Sequence, residues 1–161
     1  MATITTTPDL DAILGEIHIA APPARVFEAL TNNDQAVVWW TNPAFRTEVY
    51  EMDARVGGKW RLISVELQSP PTRGDGRYEH HGEVLEIDPP RLLVYTWLAN
   101  FHENPSARTI VRWELSPQSG GTLLKLTHSG LANLPSARAA YTQGWPGVLQ
   151  RIKDFCSTKV N

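Results

Sequence analysis

Cysteine is nearly absent: the 161 residues contain one, Cys156. A single thiol forms no internal disulfide and no Cys-rich zinc site, which fits a reducing compartment and leaves the core to be held by burial. Charge of one sign does not accumulate either, with 15 Lys and Arg against 17 Asp and Glu and a formal net charge of -2. That balance leaves no electrostatic footprint for nucleic acid or an anionic membrane, and the densest basic cluster, Arg55, Lys59 and Arg61, is short. No apolar run approaches the roughly 20 residues that cross a bilayer. The opening MATITTTPDLDAI lacks the basic start and apolar stretch of a secretory signal. These absences predict a cytoplasmic protein with neither a nucleic-acid nor a membrane partner.

Recognisable reaction motifs are missing as well. There is no His-Glu-x-x-His, no Cys-x-x-Cys and no Gly-x-Ser-x-Gly. The glycines at 57, 58, 74, 76, 120 and 121 fall between expected strands, not between a strand and a helix, which argues against a phosphate-cradling loop. His80 and His81 are adjacent and point to opposite faces of a strand, so they do not chelate one metal together. A metal would need His128, Glu66 or His102 to converge from other strands, and no spacing suggests it. No metal and no cofactor are expected.

Tryptophan, by contrast, is plentiful. Trp39, Trp40, Trp60, Trp97, Trp113 and Trp145 outnumber both the four Phe and the four Tyr. Each is a large apolar body with an N–H that needs a partner when buried, suited equally to a wide core or to a pocket wall.

Patterning places these residues on elements. Residues 1–12 read as a flexible tail and 13–161 as one domain, large enough to bury roughly 70% of its unfolded surface. Ile13, Ile17 and Ile19 alternate with Glu16 and His18, the period of a half-buried strand. Pro22-Pro23 then leads into a helix carrying Val26, Phe27 and Leu30. Thr31-Asn32-Asn33-Asp34 supplies N-caps for a second short helix ending at Trp39-Trp40. Turn clusters punctuate the next stretch and predict strands near 45–51, 59–67, 78–87, 92–98, 108–115 and 122–128, seven with the first. Tyr141, Trp145, Val148, Leu149, Ile152, Phe155 and Cys156 form a helical stripe from about Pro135 to Lys159. Pro146 inside it predicts a kink or break near Trp145.

This order resembles the α+β helix-grip fold of the START-like (SRPBCC, Bet v-like) superfamily, a curved antiparallel sheet around a long C-terminal helix with two short helices. Ile19 to Thr31 is similar to the opening strand and helix, Trp39-Trp40 to the aromatic pair ending the second helix, and Val56-Gly57-Gly58-Lys59-Trp60 to the glycine turn. Gly82 to Trp97 resembles a hairpin of proteins related to the C-terminal domain of the activator of heat-shock protein 90 ATPase, and Gly144-Trp145 with Val148, Leu149 and Ile152 their final helix. The resemblance implies a cavity between sheet and helix. It departs at Pro146 and in the long turn from Pro70 to Gly76.

The expected ligand-binding residues are therefore the aromatic set Trp40, Trp60, Tyr95, Trp97, Trp113, Tyr141 and Trp145, together with His128, which shares a strand face with Leu124 and Leu126. The same rings would also serve as close-packed core. Three functions are consistent with this: a module holding a small hydrophobic or aromatic molecule; a cyclase- or aromatase-like enzyme using His128, His80 or Tyr141 as acid or base; and a co-chaperone-like interaction module. Exposed strand edges also leave room for a homodimer.

Overall fold

A computed structural model describes residues 2–157. Its elements are β1 (Thr3–Thr6), β2 (Ile13–Ile19), α1 (Pro23–Thr31), α2 (Asn33–Trp40), β3 (Phe45–Met52), β4 (Lys59–Glu66), β5 (Arg77–Asp88), β6 (Leu92–Ala99), β7 (Thr109–Gln118), β8 (Gly121–Ser129) and α3 (Pro135–Ser157). The strands form one antiparallel sheet in the order β1-β2-β8-β7-β6-β5-β4-β3. α1 and α2 connect β2 to β3 and so link the two ends of the sheet, and α3 packs across its inner face, giving the helix-grip fold.

Local chemistry explains the elements. In β2 the side chains of Ile13, Ile17 and Ile19 are buried while Leu14 and Glu16 face solvent. α1 starts with Pro23 at its first position, where the missing N–H would have had no helical partner. Asn32 ends α1 and caps α2, its side chain accepting from the Gln35 amide. The β7–β8 hairpin turns through Ser119 and Gly120, at φ 49° and 78°. That pair of left-handed residues is the type I′ geometry that matches strand twist.

The sheet has eight strands, not seven, because part of the expected tail is a strand. Thr3 to Thr6 pair with Glu16 to Ile13. The segment Thr-Ile-Thr-Thr has β-branched propensity but no apolar alternation, since an edge strand held by main-chain bonds needs none. Ile4 packs over Gly15: a Cβ there would lie 2.8 Å from its Cδ1.

Gly82 bends the sheet. A Cβ at this position would sit 2.0 Å from the Thr96 carbonyl oxygen, so only glycine allows β5 and β6 to approach so closely. The ladder is locally rewired there. The Trp60 indole donates to the Thr96 carbonyl at 2.7 Å and the Glu83 amide donates to the Thr96 hydroxyl at 2.9 Å.

α3 runs through Pro146 without interruption over 23 residues, about 35 Å at 1.5 Å per residue. The break expected at the proline does not occur, because packing of Tyr141, Trp145, Val148, Leu149 and Ile152 holds both halves on the sheet. Lys159, the expected helix end, lies outside the described residues. Among the described residues no helix is long and apolar enough to cross a membrane.

Candidate functional site

Beneath α3, strands β6, β7 and β8 bring Tyr95, Trp97, Trp113 and His128 against Tyr141 and Trp145. Trp113 and Trp145 meet edge-on with centroids 5.8 Å apart, as their positions on facing elements predict. The polar tips of this interior are paired. The Trp113 indole donates to the Tyr95 hydroxyl at 2.9 Å, and the Trp145 indole donates to His128 Nδ1 at 3.2 Å. With Nδ1 accepting, the His128 proton belongs on Nε2, which faces the Thr109 hydroxyl at 2.8 Å. Thr109 in turn donates to the Trp97 carbonyl at 2.7 Å. His128 is thus a neutral imidazole with both nitrogens engaged, and its fully buried position pushes its pKa well below the ordinary 6.5.

A cleft of about 360 Å³ opens beside this interior, between the end of α2, strands β3 to β6 and the middle of α3. Its aromatic walls are Trp40, Trp97, Tyr141 and Trp145. Phe45, Leu62 and Val148 add apolar surface, and Gly144 and Gly147 keep the helix side open. A Cβ added at Gly144 meets no atom within 4 Å.

Two nitrogens of residues that line the cleft, His80 Nδ1 and Trp40 Nε1, are buried without a hydrogen-bond partner among the described residues, as are Thr47 Oγ1 and His102 Nδ1 away from it. Asn42 at the cleft is bonded at both ends of its amide. Desolvation pushes the His80 pKa from 6.5 down to about 3, so the ring is neutral. Arg151, half-buried on α3, donates from Nε to the Trp39 carbonyl at 2.9 Å, at the negative end of α2. It makes no ion pair among the described residues, and no carboxylate lines the cleft.

Tyr141 joins the two regions. Its hydroxyl accepts from the Trp97 indole at 2.8 Å and lies 2.6 Å from His102 Nε2. Burial raises the Tyr141 phenol above its usual 10 and lowers the His102 imidazole, so both are neutral at neutral pH.

Of the eight residues expected at a ligand, Trp40, Trp97, Tyr141 and Trp145 line the cleft. Trp60, Tyr95, Trp113 and His128 are packed behind its wall. Strand alternation shows that a ring faces inward, but not how deep it lies. Arg151, outside the apolar stripe read for the helix, is also part of the cleft. The signal was present in the spacing: Tyr141, Gly144, Val148 and Arg151 follow at intervals of three and four and share one helix face. Among the described residues no group of three or more His, Cys, Asp or Glu side chains is placed to hold a metal ion.

A family model described as activator of Hsp90 ATPase homolog 1-like protein matches residues 20–157. Among solved structures, protein CV1439 from Chromobacterium violaceum is 24% identical, with 92% of this chain and 99% of that chain covered and a TM-score of 0.78. Protein Ms6760 from Mycobacterium smegmatis is 17% identical, covers 100% of both chains and has a TM-score of 0.80. CalU16 from Micromonospora echinospora is 22% identical over 98% of this chain and 84% of that one, with a TM-score of 0.66. No curated protein matches the chain at a significant level.

Proposed function

The chain belongs to the family of activator of Hsp90 ATPase homolog 1-like proteins, and from that premise we propose that it is a binding protein for a small hydrophobic or aromatic molecule. The fold commonly binds hydrophobic ligands. The observation that carries the reading is the cleft itself. Its aromatic walls and few polar tips, at about 360 Å³, fall within the roughly 300–1,000 Å³ of small-molecule sites.

Binding is favoured over acid–base chemistry. Both His128 nitrogens are engaged inside the core. Tyr141 and His102 form a close pair, yet burial shifts each away from the charged form a proton shuttle would use.

The test is a thermal-shift and native mass-spectrometry screen of small aromatic compounds against the wild type and Gly144→Leu, whose side chain would enter the open cleft. Compounds are expected to bind and stabilise the wild type and to lose binding to the variant. No binding to the wild type, or binding untouched by the substitution, would contradict the proposal.

A further inference from the structure

Most side chains of the cleft are apolar, and among the described residues that line it Arg151 alone carries a charge. Arg151 uses Nε on the Trp39 carbonyl, leaving its two terminal nitrogens without a partner among the described residues. The guanidinium is thereby tied to the last turn of α2. Gly147 lets the guanidinium lie along the helix, for a Cβ there would come within 3.2 Å of Nη1. The local charge is unbalanced as well, with a guanidinium lining the cleft and no carboxylate there. Burial also lowers the Arg151 pKa, as expected of a partly desolvated cation without a counter-charge.

We infer that the occupant is an apolar or aromatic organic monoanion, its carboxylate held by the terminal nitrogens of Arg151 and its body between Trp40, Trp97, Tyr141 and Trp145. This rests on the reading of the cleft as a binding site and adds the chemical class of its ligand. A cation would meet Arg151 with no acid to receive it. A neutral hydrocarbon would leave the terminal nitrogens of Arg151 unmatched. A carboxylate, by contrast, accepts from them, and the guanidinium presents it with two parallel donors.

The experiment uses 2-naphthoate and its neutral counterpart 2-naphthamide, titrated by isothermal calorimetry against the wild type, Arg151→Gln, Trp40→Phe and Gly144→Leu. Because hydrogen bonds to charged groups are the stronger kind, the wild type is expected to bind naphthoate at least about ten-fold tighter than naphthamide. Arg151→Gln should remove that preference while leaving naphthamide affinity within about two-fold, which also reports that the variant is folded. Trp40→Phe keeps an aromatic ring in the wall and should leave the preference for naphthoate over naphthamide within about two-fold of the wild type. Gly144→Leu should abolish both.

Equal affinities for the two probes in the wild type, or equal losses for both in Arg151→Gln, would overturn the anion assignment while the binding site stands. Loss of that preference in Trp40→Phe would likewise overturn the assignment of the anion to Arg151. Binding of neither probe, or of both unchanged in Gly144→Leu, would instead contradict the cleft as the site.

Discussion

In the interior, Trp113 donates to Tyr95, Trp145 donates to His128, and His128 reaches Thr109, so each polar tip meets a partner. In the adjoining cleft, Arg151 leaves its two terminal nitrogens without a partner among the described residues. The two regions share Trp97, Tyr141 and Trp145 and contain similar residue types. What separates them is hydrogen-bond satisfaction. A core whose polar groups are matched is complete without a ligand, whereas a wall with unmatched donors is completed by one.

Substitutions can break this contrast, and the largest effect belongs to the interior. Trp113→Ala empties a fully buried site and should destabilise the fold by about 3–5 kcal/mol in urea unfolding. His128→Leu strands the Trp145 N–H, while the Thr109 hydroxyl keeps its bond to the Trp97 carbonyl, and should cost about 1–3 kcal/mol. A His128→Leu protein as stable as the wild type would refute the matched interior.

Acid sharpens the comparison in the opposite direction. His80 titrates near 3 in the folded chain and near 6.5 when exposed, so within that window the unfolded state binds a proton the folded state refuses. Its contribution is therefore intact above about 6.5 and lost as the pH falls towards 3, at about 1.4 kcal/mol per pH unit. From pH 6.5 to 5 the wild type should lose about 2 kcal/mol more than His80→Leu, measured by urea unfolding at both values. At pH 7 that substitution removes an unpartnered group and should change stability by less than about 1 kcal/mol. The smallest effect is at Gly144, where leucine in a helix interior should add about 0.5–1 kcal/mol while blocking the cleft.

Much of the fold was legible because it is written in periodicity. The alternation of Ile13, Ile17 and Ile19 marks β2 over its observed bounds, and the 3- and 4-residue stripe from Tyr141 marks α3. Thr3 to Thr6 escaped because an edge strand carries its pairing in the backbone, where sequence leaves little trace. Depth was also invisible. Trp97 and Trp113 both face inward by alternation, yet only the packed positions of α2 and α3 put the first at a cleft wall and the second behind it. Arg151 reads as a solvated helix charge until the carbonyl end of α2 is brought beside it.

The most direct test of the account is the set of indole N–H resonances, one per tryptophan, followed by ¹H–¹⁵N NMR as 2-naphthoate is added. The Trp40 resonance is predicted to shift on saturation because its ring forms a wall of the cleft, with the Trp113 indole, bonded to Tyr95, nearly stationary. A shifting Trp113 signal beside an unmoved Trp40 signal would place the ligand in the interior and contradict the account.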